Sequence, residues 1–426
     1  MKNSNDKPNT LKRIPFSDHQ IDESKICHQA RFVVETLIDA NYQAYLVGGS
    51  VRDLVLGIEP KDFDVATDAH PEEICKLFDN SRLIGRRFRI VHVYFGRNVI
   101  EVSTFRANTT KNKSSVKQST GRIIKDNTFG SIEEDALRRD FTINAMYYDL
   151  QNSQVLDYCS GYSDLLNKSI RMIGDAATRY REDPVRILRA LRFRAKLGLH
   201  IEKDTEQPIK KLGSLLSDIP PARLFDEAIK LFHSGYAVRC FQELRQYQLL
   251  RILFPITHKA LVHDESFSLL IHKALENTDE RIAMGKSVNP AFIFSILLWH
   301  PYLQLLKQTN EQKTSYAERA WTAGRTTVLD QSTVTSIPKR FSVTICEIWK
   351  LQNRFDKKQG KRVLQFLTHP RFRAAYDFMC LRAEVGEIDE KDCSWWTNIQ
   401  TLSHQEQRKM ISSKPKKYRN KNHNHD

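Results

Sequence analysis

Long apolar runs, paired cysteines and histidine clusters are all missing from this chain, and each absence removes a class of protein. No apolar stretch approaches the roughly 18 residues that a bilayer-spanning helix needs, and the opening MKNSNDKPNTLKRIPF has no apolar leader segment. A cytoplasmic protein with no membrane partner is therefore expected. The seven cysteines (Cys27, Cys75, Cys159, Cys240, Cys346, Cys380 and Cys393) are scattered, odd in number and without a CxxC pair. That pattern reads as reduced thiols, neither a disulfide framework nor a zinc site. The 14 histidines contain no HxxxH or HExxH spacing, and His92, inside an apolar strand, reads as a satisfied sheet residue and not a ligand. No tandem repeat is present. Acidic residues are the minority, 51 against 66 Lys and Arg, so the formal net charge is +15 and a polyanionic partner is the first to consider.

The stretch that organises the chain is Ala44 to Thr67, AYLVGGSVRDLVLGIEPKDFDVAT. An apolar run leads into Gly48-Gly49, a helix-like segment follows, and then comes Asp62-Phe63-Asp64. Strand residues alternate faces, so Asp62 and Asp64 project to one side and Phe63 and Val65 to the other. Two carboxylates that share a small space ionise cheaply only around a cation. Mg²⁺ suits them, because it takes one or two carboxylates and completes its shell with substrate phosphates. A glycine pair before a helix lets the backbone approach those phosphates closely. A strand Asp-x-Asp is by itself more often a solvated edge and a glycine pair more often a turn; their combination in one strand-turn-helix-strand unit points to a nucleoside triphosphate site.

Along the chain, Ile26 to Ala40 has helical period, His70-Pro71 opens another helix, and Ile90–Phe95 with Val99–Phe105 reads as a hairpin. Glu101, on the second strand, is a candidate third carboxylate or a solvent-facing glutamate. Residues 108 to 121 are polar and basic and read as a mobile loop. Ser131 to Glu134 has the form of a capping box, starting a helix that bears Arg138, Arg139 and Asp140, which read as a salt-bridged face or as part of the site. Met146–Leu150 and Val155–Tyr158 suggest a further hairpin. Beyond about residue 165 the pattern is helical. Asp183-Pro184 starts one helix with an N-cap aspartate, and its Arg189, Arg192 and Lys196 form a basic face. Arginine or lysine beside aromatics recurs at Lys339-Arg340-Phe341, Arg354-Phe355 and Arg371-Phe372-Arg373, as expected for RNA phosphates and bases. An α+β fold is expected, a head with a mixed or antiparallel sheet followed by an all-α region. The boundaries are a disordered 1–25, a head at 26–160, a helical neck and RNA-binding region at 161–260, a helical body at 261–411 and a basic disordered tail at 412–426.

Gly48-Gly49-Ser50-Val51-Arg52-Asp53, Asp62-Phe63-Asp64, Arg138-Arg139-Asp140 and Glu182-Asp183-Pro184-Val185-Arg186 resemble, in order and spacing, the signature of class II nucleotidyltransferases of the DNA polymerase β superfamily. That group contains tRNA CCA-adding enzymes and bacterial poly(A) polymerases. Leu83 to Val93, LIGRRFRIVHV, resembles the stretch that marks the poly(A) polymerase branch, and Ile219 to Phe225, Ile337 to Arg340 and His369 to Asp377 also look like that branch.

The resemblance implies template-independent addition of AMP from ATP to RNA 3′ ends (mRNA, regulatory RNA, decay intermediates), with RNA-decay factors as further partners; a monomer is the default expectation. Asp62 and Asp64 hold two Mg²⁺ ions on this reading, and Asp140 is the third catalytic acid with Glu101 as its competitor. Gly48, Gly49 and Arg52 handle the triphosphate, and Arg138 and Arg139 the ribose or phosphates. Asp183 and Arg186 present an acceptor beside a donor to adenine, although Asp183 also caps its own helix. The rival within the group is a CCA-adding enzyme, which needs CTP as well as ATP; the rival outside it is a non-catalytic RNA-binding protein.

Overall fold

The computed structural model describes residues 11–85, 89–107, 128–309 and 314–412, together with the backbone of two short strands between 116 and 125. The chain forms two compact units, Met1–Leu216 and Ser217–Asp426. Residues 1–10, most of the loop expected at 108–121, Arg86 to Phe88 of the branch-marking stretch and the basic tail lie outside the described residues.

The first unit is a sheet with helices. Its elements begin with β1 (Lys12–Ile14), α1 (Phe16–His19), α2 (His28–Asp39), β2 (Ala44–Val47), α3 (Gly49–Val55), β3 (Asp64–Thr67) and α4 (Pro71–Leu77). There follow β4 (Ser81–Ile84), β5 (Ile90–Phe95), β6 (Asn98–Thr104), the short β7 (Val116–Lys117) and β8 (Ile123–Lys125), and α5 (Ile132–Arg138). Next come β9 (Met146–Asp149), β10 (Gln154–Asp157), α6 (Gly161–Leu166) and β11 (Ser169–Ile170). The unit closes with α7 (Ala176–Glu182), α8 (Val185–Leu197), β12 (His200–Ile201) and α9 (Lys203–Leu212). The main sheet has the order β1-β10-β9-β2-β3-β6-β5-β4. Its neighbours are antiparallel except β3 and β6, which run parallel, so the sheet is mixed as expected.

The apolar stripe of α2 (Ala30, Val33, Val34, Leu37) is fully buried where the helix lies against β2 and β3, whose Leu46, Val65 and Ala66 are buried in turn. Burial of about 25 cal/mol per Å² of apolar surface favours this packing. The capping box at the start of α5 forms as read, with Ser131 Oγ accepting from Glu134 N–H (3.2 Å) and Glu134 Oε2 accepting from Ser131 N–H (3.0 Å).

The N-terminus departs from expectation. Residues 11–25 are ordered: β1 pairs with β10 from Lys12↔Asp157 to Ile14↔Val155. Further along, Glu23 accepts from Tyr148 Oη (2.7 Å) and Ser153 Oγ (2.9 Å). Backbone pairing at a sheet edge asks for no apolar side chains, and Lys12 and Arg13 are suited to such an edge. The segment's polarity therefore hid its order. Within residues 108–121, expected to be a mobile loop, the described part is one strand of the β7–β8 hairpin.

The described part of the second unit is all helix, from Pro221–Phe232 to His404–Ser412. In the stretch 235–253 the helical pattern resolves into two helices, Ala237–Gln246 and Leu250–Leu253, with Gln248 at φ 59° between them. Two expectations fail here. Phe355 and Phe372 belong to a buried cluster around Trp396, so these aromatics of the Arg-Phe repeats are core and cannot stack on bases. Cys380 and Cys393 are joined in a disulfide. They are 13 residues apart, on the packed helices Phe372–Glu384 and Glu390–Thr401, and that juxtaposition carries no short-spacing signature. Among the described residues no helix is long and apolar enough to cross a membrane.

Candidate active site

Asp64 opens β3, with Asp62 just ahead of it; both are exposed, while Phe63 and Val65 are buried, the alternation the sequence predicts. In the parallel pair, Asp64 stands in register with Glu101 on β6. Asp64 is open to solvent on one side and enclosed by the sheet on the other. Desolvation first, and then the charge of Glu101, push its pKa up to about 6; Asp62 adds to the rise and Arg139 opposes it. The donors are hard carboxylate oxygens, held close together at the edge where β3 and β6 pair. That set fits Mg²⁺, which completes its shell with phosphate and water. Among the described residues no three acidic, histidine or cysteine side chains form a ready-made metal cage.

Arg139 faces these acids from the end of α5. Its Nε and Nη2 donate to Asp135 Oδ2 (3.2 and 2.9 Å), Nε also lies 3.2 Å from Tyr147 Oη, and the Tyr147 hydroxyl donates to Asp135 Oδ2 at 2.8 Å. Burial works against the Arg139 charge, but Tyr147 and Asp135 more than offset it, and the guanidinium is held above the ordinary arginine value. The Asp135 carboxyl, although burial pushes it upward, is held below the usual range by Arg139 and then Arg138.

Gly48 packs against this arginine. Its backbone has φ 79° and ψ −127°, and a Cβ there would stand 3.4 Å from Arg139 Nη1. A Cβ on Gly49 would stand 3.5 Å from Arg52 Nη2. The glycine pair is thus the surface on which two guanidinium groups close.

Arg52 does not reach out as the sequence suggests. Only 3% exposed, it donates twice to Asp53 Oδ1 (2.8 and 2.6 Å) and once to Asn144 Oδ1 (2.6 Å). Asp140 is likewise committed: Arg189 Nε donates to its Oδ2 at 2.5 Å, while Phe141 N–H and Asn144 Nδ2 donate to its Oδ1 at 2.8 and 3.3 Å. Burial would raise the Asp140 pKa, but the Arg189 charge and hydrogen bond outweigh it and hold it low. Asp140 is not among the charges that perturb Asp64.

Lys196 Nζ completes the set with a bond to Asp53 Oδ2 (3.2 Å), so Lys196, Asp53, Arg52, Asn144, Asp140 and Arg189 run as one chain that leaves α8 and returns to it. Phe193 sits inside that chain, with the Arg52 and Arg189 guanidinium groups 5.3 and 5.4 Å from its ring centre. The basic face of α8 is therefore docked on the motifs instead of solvated.

Asp183 lies between α7 and α8, and its Oδ1 accepts from Val185 N–H at 3.3 Å, part of the expected capping. Arg186 Nη1 donates to the Arg179 carbonyl (2.7 Å) and to Glu182 Oε2 (3.2 Å). Arg179 Nη2 in turn grips the carbonyls of Arg138 and Arg139 (2.6 and 2.5 Å), and burial followed by the Arg186 charge lowers its pKa to about 10. Sequence reasoning missed Tyr147, Asn144 and Arg179. Tyr147 reads as an ordinary strand residue, and no local signal singles out the other two.

Comparison with known proteins gives three matching families: "Poly A polymerase head domain" over residues 44–171, "Probable RNA and SrmB- binding site of polymerase A" over 198–261, and "Polymerase A arginine-rich C-terminus" over 312–426. The chain is 44% identical over 408 residues to "Poly(A) polymerase I" of Salmonella typhimurium, covering 94% of this chain and 88% of that protein. It is 43% identical over 412 residues to the Haemophilus influenzae protein of the same name, covering 95% and 90%. A Bacillus pumilus "CCA-adding enzyme" is 35% identical over 249 residues, 58% of this chain and 60% of that one. Among solved structures, a Thermotoga maritima CCA-adding enzyme complexed with tRNA matches with a TM-score of 0.57 at 20% identity, covering 89% of this chain and 82% of that one, a likeness of fold.

Proposed function

Because this chain belongs to the poly(A) polymerase I family and is a polynucleotide adenylyltransferase acting on RNA 3′ ends, we propose that Asp62, Asp64 and Glu101 form its reacting centre. The observation that carries this is the register of Asp64 with Glu101 across β3 and β6, together with the electrostatic coupling of Asp62, Glu101 and Arg139 to Asp64. Asp140, bound to Arg189, serves as a brace and leaves the third acidic position to Glu101.

Asp62 and Asp64 would hold Mg²⁺, which when bound lowers the pKa of an attacking hydroxyl and neutralises a triphosphate. The rest of the work falls to the chain. Gly48 brings bare backbone up to the phosphates, and Arg139, pinned by Asp135 and Tyr147, offers a fixed positive charge where negative charge accumulates in phosphoryl transfer. Gly49 and the buried Arg52 hold that loop closed. Arg138 adds its charge beside Arg139 for the ribose or phosphates. Asp183 and Arg186 read adenine: the N6 amino group donates to the carboxylate and the guanidinium donates to N1. The reading extends to a cytoplasmic monomer acting on mRNA, regulatory RNA and decay intermediates alongside RNA-decay factors; the +15 net charge supports the polyanionic substrate.

Incubation with an unstructured RNA and each single nucleoside triphosphate, with Mg²⁺ or chelator, tests this. Long tails from ATP alone, abolished by chelator, are expected. A requirement for CTP and arrest after three additions would point to CCA addition instead.

A further inference from the structure

The branch-marking stretch Leu83 to Val93 has no part in the chemistry above, yet it delivers a side chain to the same row of the sheet. His92 on β5 stands in register with Glu101 on β6, and Glu101 in register with Asp64 on β3. Register partners on neighbouring strands share a face, so histidine, glutamate and aspartate stand side by side. His92 Nε2 lies 3.5 Å from Glu101 Oε1. That nitrogen is buried and makes no hydrogen bond, so His92 is not the satisfied sheet residue the sequence suggests. Behind it, the Tyr94 ring meets the imidazole at 6.2 Å in an edge contact, and the Arg82 guanidinium lies 5.9 Å from the centre of the Tyr94 ring.

The two partners differ in freedom. The Glu101 side chain is 53% exposed and the His92 side chain 22%. An exposed glutamate on a strand samples several rotamers, and a fixed donor on the adjacent strand selects among them. A neutral imidazole with its proton on Nε2 is such a donor, and a modest rotation of Glu101 closes the gap to the about 2.9 Å of a formed bond.

We propose that His92 is a positioning residue that donates from Nε2 to Glu101 and holds that carboxylate toward Asp64. The proposal rests on the reading of Glu101 as the third carboxylate. Partners of this kind orient a carboxylate at a metal site, and losing one costs about 10- to 100-fold in metal affinity or activity.

The test compares His92→Leu, His92→Gln, Glu101→Gln and the double variant His92→Leu/Glu101→Gln. Mn²⁺, standing in for Mg²⁺, is titrated into protein without substrate and followed by electron paramagnetic resonance, and kcat and the RNA KM are measured in parallel. His92→Leu should weaken Mn²⁺ binding and lower kcat about 10-fold with the RNA KM unchanged. His92→Gln, which keeps an N–H donor, should recover most of that loss. The double variant should be no worse than Glu101→Gln alone, because His92 acts through Glu101. If leucine lowers the melting temperature, His92→Asn, whose amide is too short to span the gap, replaces it. Impaired Glu101→Gln with wild-type behaviour of the non-donating His92 variants, or losses that multiply in the double variant, overturns the positioning role. Wild-type behaviour of Glu101→Gln overturns the carboxylate reading and the proposal with it.

Discussion

At Gly48 the backbone sits at φ 79° and ψ −127°, where a side chain is strained whatever the space around it, and Arg139 Nη1 occupies the near side. Gly48→Ala should cost about 1–3 kcal/mol of stability and raise the ATP KM by distorting the strained backbone that approaches the phosphates, as thermal melting and steady-state kinetics would measure. An unchanged ATP KM would remove Gly48 from the nucleotide site. Asp140 makes a different prediction, because its carboxyl is bonded to Arg189 and held low by it. A folded-state pKa below the unfolded value of about 3.9 means that the stabilisation is complete above that value and drains away as pH falls through the folded value. Asp140→Asn should therefore be less stable than the wild type by about 1.5–3 kcal/mol at pH 7, with the gap closing below about pH 4. Urea midpoints across that range measure it, and a gap independent of pH would argue that the Arg189 pair contributes little.

At the level of elements, legibility in the sequence followed range. Local patterns were readable: the helical period of α2, the capping box of α5, the hairpin of β5 and β6, and the alternation that exposes Asp62 and Asp64. Pairings between distant strands were not. Glu101 and Asp140 were both reasonable third acids by sequence, and only the β3–β6 register, which no local signal encodes, sets Glu101 beside Asp64. The same limit hid the fate of α8. A helix with Arg189, Arg192 and Lys196 along one face looks solvated until its partners Asp140 and Asp53 appear, one 49 and the other 143 residues earlier. β1 escaped notice for the opposite reason, since so short a strand, two of its three residues charged, can pair at an edge through backbone alone.

On the scale of the whole molecule, the cysteine inventory offers a direct check. Seven cysteines with one pair joined between Cys380 and Cys393 should give five free thiols in the denatured, unreduced protein and seven after reduction. Seven before reduction would mean that the bond does not form under those conditions. Closing so short a loop is worth about 3 kcal/mol in the chain-entropy account, a contribution confined to the second unit. In the first unit, the carboxylates and the glycine pair all fall within 44–171, the span recognised as the head domain. Arg179, Arg189 and Lys196 fall outside it, and they tether the backbone of Arg138 and Arg139 and both ends of the chain of contacts through Arg52. A protein cut at residue 171 would keep Asp62, Asp64, Glu101 and the glycine pair and lose the contacts that brace the arginines beside them. The border drawn by shared ancestry runs through the middle of a working part, and a mechanically sensible fragment extends past α8.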